Sequence, residues 1–269
     1  MLQGMKIGFI GGGNMAEALI RGLLAGGVPA GLLLASEPSA ERRAHLTSRY
    51  GITIVGHNTD LARQCQAGII AVKPQVASWV LQEISSELPA ETPLISIMAG
   101  VTTAVMEAAF PAARVVRVMP NTPALVLEAA SAIARGLHAT DDDISLARRI
   151  FELVGKTWVV DEKLLDAVTG LSGSGPAYVM TFIEALADAG VRNGLPRDIA
   201  AGLAVQTVYG SAKLLLETRE HPALLREKVT SPGGTTIAGL HVLENGAFRG
   251  NIISAVEAAT ERSRELGKK

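Results

Sequence analysis

The chain has 269 residues, 48% of them hydrophobic and 19% charged, which excludes a disordered polymer and allows one large domain or two modest ones. Twenty-five basic side chains against twenty-six acidic ones leave no net field to attract nucleic acid or an anionic membrane, so a small-molecule partner is expected. Aromatic residues make up only 4%, so the core must be built mainly from Ala, Val, Leu and Ile.

At the amino terminus Met5-Lys6 runs directly into the apolar stretch Ile7–Ile10, which is too short for a secretory leader. From Lys6 to about Val160, short Val/Ile/Leu runs predict strands at Lys6–Ile10, Leu32–Ser36, Gly68–Val72, Leu94–Ile97, Val115–Met119, Ala130–Ala134 and Thr157–Val160. Helical patterns such as Asn14–Ala25, Ser39–Tyr50 and Gln75–Leu88 lie between the early strands. This alternation predicts βαβ units and a parallel sheet covered on both faces. The lone Cys65 has no internal disulfide partner, which suits a reducing cytoplasm, and it reads as a core thiol rather than a nucleophile.

The strongest local motif is Gly11-Gly12-Gly13-Asn14-Met15-Ala16, between the first strand and the first helix. Its form is G-x-G-x-x-A. Gly11 permits the tight turn, Gly13 lets backbone approach a pyrophosphate, and Ala16 allows close helix–sheet packing. The phosphates would meet the N–H groups and positive end of the helix. The second strand ends at Ala35-Ser36-Glu37-Pro38, where an adenosine ribose lies in such sheets. Glu37 would hold the ribose of NADH and repel the extra phosphate of NADPH, whereas Ser36, Arg42 and Arg43 would welcome it. Both readings stay open, as does a plain solvated turn.

Asn58, in His57-Asn58-Thr59-Asp60, is first a helix-start residue and second a cofactor contact. Val72-Lys73-Pro74-Gln75 closes another strand, with backbone placed to line a crevice, although Lys73 alone reads as a surface lysine. Met119-Pro120-Asn121-Thr122-Pro123 also follows a strand. Its prolines either present Asn121 and Thr122 rigidly to a ligand or simply form a turn.

After Asp161 the strand-like runs stop, and helical patterns follow at Ala177–Asn193, Arg197–Glu217, Pro222–Val229, Thr236–Glu244 and Asn251–Leu266. A domain boundary is expected near Asp161–Lys163, giving units 1–162 and 163–269. The Ala177 helix is apolar nearly all round and reads as buried, wrapped by other helices or by a second copy of the chain. Its apolar run is interrupted by Glu184 and Asp188, and no stretch has the roughly 18 to 20 uninterrupted apolar residues of a membrane span.

Thr230-Ser231-Pro232-Gly233-Gly234-Thr235-Thr236 precedes an apolar helix; it is either a carboxylate receptor built from converging N–H groups or a threonine-capped helix start. Ser172-Gly173-Ser174-Gly175-Pro176 reads as a packing turn. The five histidines show no metal-ligand spacing, and no nucleophile–base arrangement stands out. Lys213 reads as a surface lysine. A site without an acid–base pair suits hydride addition to an already electrophilic C=N bond, where a cofactor carries the hard step.

Taken together, Ile10–Ala18 (IGGGNMAEA), Ala71–Gln75 (AVKPQ), Met119–Leu125 (MPNTPAL), Leu171–Tyr178 (LSGSGPAY), Phe182–Ala187 (FIEALA) and Val229–Leu243 (VTSPGGTTIAGLHVL) closely resemble the pyrroline-5-carboxylate reductase family, along essentially the whole chain. The resemblance implies an α/β Rossmann-type N-terminal domain and an all-α C-terminal dimerisation domain that interlocks with its partner's, the homodimers often assembling into a decamer. It implies reduction of 1-pyrroline-5-carboxylate to proline with NADPH, NADH being possible. By position, Gly11, Gly12, Gly13, Asn14 and Met15 match the pyrophosphate loop, and Ser36 and Asn58 the region around the adenosine ribose. Ala71, Val72, Lys73 and Pro74 match the strand end beside the cofactor, and Met98 and Ala99 a segment near the nicotinamide. Gly234, Thr235 and Thr236 match the substrate-carboxylate loop, with Thr236 as the hydroxyl at the ring nitrogen; Gly233 beside them and Asn121 in the MPNTP loop are expected as further substrate-binding residues. Glu37 departs from the small or polar residues common in the family. A 6-phosphogluconate-type dehydrogenase fits poorly, because Lys213 is followed at four residues by Glu217 rather than Asn.

Overall fold

The computed structural model describes residues 2–90 and 92–267. Its described residues fall into two compact units, 1–174 with 258–269, and 175–257. The first unit thus extends past the expected boundary at 162 and takes back the last part of the chain.

The first unit holds an eight-stranded sheet: β1 (Ile7–Ile10), β2 (Leu33–Ser36), β3 (Thr53–Val55), β4 (Ala67–Ile70), β5 (Pro93–Ser96), β6 (Arg114–Met119), β7 (Ala129–Arg135) and β8 (Gly155–Val159). The spatial order is β3-β2-β1-β4-β5-β6-β7-β8, parallel from β3 to β6. β7 runs antiparallel to β6, and β8 runs parallel to β7. Every residue of β1, β2, β4 and β5 is buried, which is why these strands read as unbroken apolar runs rather than alternating ones. The short edge strand β3, partly exposed throughout, carries no such signal and was not among the expected strands.

Helices α1 (Asn14–Ala25), α2 (Ala40–Tyr50), α3 (Asn58–Gln64), α4 (Ala77–Ile84), α5 (Thr103–Ala109), α6 (Asp141–Phe151) and α7 (Leu165–Val168) cover the sheet. Phe9, Leu19, Leu23, Ile69 and Phe151 pack on one side; Ile10, Leu34, Leu61, Leu81 and Val115 pack on the other. Each such side chain contributes roughly 1.5–3 kcal/mol on burial. The helix expected from Gln75 starts at Ala77, because Pro74 opens a 3-10 turn, Pro74–Val76, before it. Thr140 and Asp143 close a reciprocal capping box that starts α6.

The second unit contains α8 (Gly175–Arg192), α9 (Arg197–Thr218), α10 (Pro222–Lys228), α11 (Thr235–Asn245) and the first part of α12 (Phe248–Gly267). Two expectations are corrected here. The Ser172–Pro176 stretch is not a turn: a π-helical turn, Thr169–Gly173, leads into α8, with the Thr169 and Ser172 hydroxyls donating back to the Leu165 and Val168 carbonyls. The helix around Ala177 is not buried in the single chain, where Ala187 is its only buried residue among those described. α9 is equally bare, exposing Ile199, Leu203, Val205, Tyr209, Leu214 and Leu216. By length and composition alone, its 22 residues suffice to cross a membrane, although Lys213 and several polar residues interrupt the apolar run. These are the faces that a second chain is expected to cover.

Candidate active site

β1 lies between β2 and β4, so the connections leave it in opposite directions and open a crevice at the carboxyl ends of the strands. Gly11 sits in that crevice with φ +95°, and a Cβ there would come within 2.9 Å of the Ala71 carbonyl. Only glycine suits both constraints. Its N–H donates to the Ser36 carbonyl at 2.9 Å, while the Ala71 N–H donates to the Ile10 carbonyl at 2.8 Å. The three strand ends are thereby sewn together, and Gly11–Met15 is brought beside Ala71–Pro74. Gly13 is different: a Cβ there would meet nothing within 4 Å. It is also the N-cap of α1, with no side chain bonded to the helix start. Packing does not call for glycine at this position, and no side chain takes up the first N–H donors of the helix. An anion such as a pyrophosphate fits there.

The Gly12 peptide is held from both sides. Its N–H donates to the Glu37 carboxylate at 2.9 Å, and its carbonyl accepts from Arg42 Nε at 2.6 Å. Glu37 also accepts the Ser39 N–H at 3.0 Å, and Arg43 donates to the Glu37 and Pro38 carbonyls. Ser36 and Asn58, both assigned to the ribose region, meet: the Ser36 hydroxyl donates to Asn58 Oδ1 at 2.6 Å, and Asn58 Nδ2 donates to Glu83. Lys73 is exposed, whereas Met98 is buried at the end of β5.

Behind the loop Glu17, on the first turn of α1, collects Arg42, His45 at 2.8 Å and Tyr50 at 2.7 Å. Burial alone would raise its pKa, but the hydrogen bonds from His45, Tyr50 and Arg42 outweigh it and hold the carboxyl at about 2. Cys65 is buried, and desolvation pushes its thiol up to about 11, as befits an inert core residue.

Asn121 is buried, and both ends of its amide are bonded to the chain. Oδ1 accepts the Ala130 N–H at 2.9 Å, and Nδ2 donates to the Ser172 carbonyl at 3.0 Å. The structural-turn reading of this loop accounts for both bonds.

In the second unit, Gly233 has φ +67°, which favours glycine, while a Cβ on Gly234 would fall 2.2 Å from Ser231 Oγ and oblige that hydroxyl to turn away. Gly234, not a threonine, is the N-cap of α11, and no side chain caps it. The Thr235 and Thr236 hydroxyls are therefore not used as caps. Thr235 is exposed and Thr236 half-buried at the free start of the helix. Among the described residues no cluster of His, Cys, Asp or Glu has the makings of a metal site.

Comparison with known proteins identifies the family. Residues 162–266 match the family model described as pyrroline-5-carboxylate reductase dimerisation, and residues 6–100 match that of the coenzyme F420-dependent NADP oxidoreductases. A pyrroline-5-carboxylate reductase of Arabidopsis thaliana is 45% identical over 267 residues, covering 99% of this chain and 97% of its own. One from Synechocystis is 49% identical over 267 residues, covering 98% and 99%. The chain belongs to the pyrroline-5-carboxylate reductase family. The structure of a reductase from Coxiella burnetii matches with a TM-score of 0.92 at 36% identity, over 98% of this chain and 99% of that one. A Plasmodium falciparum pyrroline carboxylate reductase solved with NADP bound matches at 0.90 and 35%, again over 98% and 99%. This reductase transfers hydride from NAD(P)H to the C=N bond of 1-pyrroline-5-carboxylate, giving proline. Its helical part is a dimerisation domain, which accounts for the bare faces of α8 and α9.

Sequence reasoning did not find the Glu17 cluster or the double tether of Gly12. Glu17 follows the glycine motif directly, but its partners lie 25 to 33 residues away and have no periodic relation to it.

Proposed function

We propose that the reductase takes its hydride from NADPH held by Gly11, Gly12, Gly13, Asn14 and Met15, with Ser36 and Asn58 toward the ribose. Ala71, Val72, Lys73 and Pro74 line the cofactor, and Met98 and Ala99 border the nicotinamide. The observation that carries this reading is the uncapped start of α1 with open space above Gly13. When bound, the cofactor supplies a hydride; the chain supplies position and charge. The first-turn N–H groups of α1 receive the pyrophosphate, and Arg42 and Glu37 fix the Gly12 peptide in the shape that receives it.

The substrate carboxylate is received by the backbone of Gly233, Gly234 and Thr235 at the uncapped start of α11. Asn121 acts through the backbone that it holds. The imine arrives protonated, and its N–H donates to the Thr236 hydroxyl oxygen, which orients the ring while the C=N electron pair moves onto nitrogen. Thr236 is the catalytic residue in this reading, as a stabiliser rather than a base.

The active form is a homodimer that assembles further into a decamer, with 1–162 as the dinucleotide-binding part and 163–269 as the dimerisation and substrate part. The unpaired Cys65 suits a cytoplasmic setting. The test is to mix the purified chain with the imine and either cofactor, following loss of reduced nicotinamide and formation of proline. Cofactor oxidation and proline formation in equal amounts are expected, faster with NADPH. Absence of proline with both cofactors would overturn the reading.

A further inference from the structure

The segment after β5, Met98 to Thr102, is held at its far end and in its middle by parts of the chain remote in sequence. At its far end Thr103 opens α5, and its N–H and hydroxyl both donate to the Glu162 carboxylate, at 2.7 and 2.5 Å. The Arg117 guanidinium donates to the same carboxylate at 3.1 Å. Thr103 is buried, the Arg117 side chain is 5% exposed and that of Glu162 25%. In the middle of the segment Gly100 has φ +75°, and a Cβ there would lie 3.5 Å from the Gly267 nitrogen. The end of α12 therefore rests against it.

Stability is a poor reason for such a network, because apolar residues of similar volume often replace a buried ion pair without loss. Its effect is geometric. Arg117 lies on β6 two residues before Met119, Thr103 ends the loop from β5, and Glu162 follows β8. One carboxylate thus fixes the loop leaving β5 relative to β6 at the carboxyl edge of the sheet, where ligands of such folds bind. We propose that Glu162, held by Arg117, is a positioning residue for hydride transfer, fixing the Met98–Thr102 backbone against which the nicotinamide ring lies. This rests on the reading that Met98 and Ala99 border that ring. Glu162 touches neither reactant in this role and acts through Thr103.

The test compares Glu162→Gln and Thr103→Val with the parent enzyme. It uses single-turnover hydride transfer from NADPH, NADPH titration and the deuterium isotope effect with cofactor labelled at the transferred position. A misplacement of about 1 Å costs on the order of 100-fold, so Glu162→Gln should slow the hydride step on the order of 10- to 100-fold. Thr103→Val, which keeps the shape and the backbone bond, should slow it by roughly 3- to 10-fold. NADPH affinity should stay within about twofold, and the steady-state isotope effect should rise as hydride transfer becomes limiting. A hydride step unchanged in Thr103→Val and in folded Glu162→Gln overturns the proposal, as does slowing that merely follows loss of folded protein. If Glu162→Gln does not fold, Thr103→Val decides alone. Ala99→Leu tests the underlying reading separately: unchanged NADPH affinity and hydride rate there would mean that Met98 and Ala99 do not border the nicotinamide, whatever the Glu162 variants do.

Discussion

If the adenosine ribose lies at the end of β2 as proposed, the charge of Glu37 opposes NADPH, and its removal should shift cofactor choice by a calculable amount. The carboxylate stands just past the end of β2, accepting the Gly12 N–H at 2.9 Å and the Ser39 N–H at 3.0 Å. A 2′-phosphate would bring nearly two negative charges into the same corner. For unit charges about 6 Å apart at an effective dielectric of about 50, the repulsion is about 1 kcal/mol. The second charge raises this figure, and physiological salt lowers it by a comparable factor. Glu37→Gln removes the charge and keeps an oxygen for the Gly12 N–H. The ratio of kcat/KM for NADPH over that for NADH should therefore rise about fivefold. Glu37→Ser should raise the ratio similarly while lowering kcat/KM for both cofactors, since the Gly12 N–H loses its acceptor. Initial rates with each cofactor at low and high salt measure both effects, and the gain should shrink as salt rises. A ratio unchanged in both variants would refute the electrostatic argument and leave the selection to Ser36, Arg42 and Arg43.

Thr236→Ala should slow turnover on the order of 10- to 100-fold, because hydrogen bonds to charged groups contribute roughly 1.5 to 3 kcal/mol. NADPH affinity should not change; a near-normal kcat/KM for the imine would remove Thr236 from the chemistry. The Glu17 carboxyl is held at about 2 against an ordinary 4.5, so its contribution to stability is complete above pH 4.5 and lost as pH falls toward 2. Glu17→Gln should be less stable than the parent at pH 7 by at most about 3 kcal/mol, and urea midpoints should converge near pH 2. A gap constant with pH would show that the charge is not what stabilises. On α9, Leu203 is 55% exposed in the single chain, and Leu203→Glu should weaken the dimer, as seen by sedimentation at decreasing concentration. A dimer as tight as the parent's would place Leu203 outside the interface.

The parts of this protein that are legible in its sequence are those whose cause is local. The Gly11–Ala16 loop shows itself because backbone geometry demands glycine next to an apolar strand, and β1, β2, β4 and β5 show themselves because both faces are buried. The TSPGGTT segment announces a helix start, but not which residue begins it: the helix starts at Thr235, and the cap falls to Gly234 rather than to a threonine. Asn121 read equally as ligand contact or turn, since nothing near it in sequence reveals that Ala130 and Ser172 take up its amide. Glu162, 59 residues from Thr103 and 45 from Arg117, looks like any surface acid until the sheet has formed. The bare faces of α8 and α9 mislead for a related reason: their partner is another molecule, so one chain's sequence records only the apolarity.

The last helix has a consequence for how the molecule comes into being. α12 begins in the helical unit, yet from Ala258 onward it belongs to the first unit, where Ser263 donates to Asp166 at 2.6 Å and Gly267 meets Gly100. Most of the sheet can pair as its strands leave the ribosome, but this closing contact joins residues more than 160 positions apart and must wait for nearly the whole chain to be made. The Gly11–Ala16 loop is therefore made long before the segment after β5 is secured. With the cofactor placed as proposed above, one present during synthesis would find a place for its phosphates well before a finished bed for its ring.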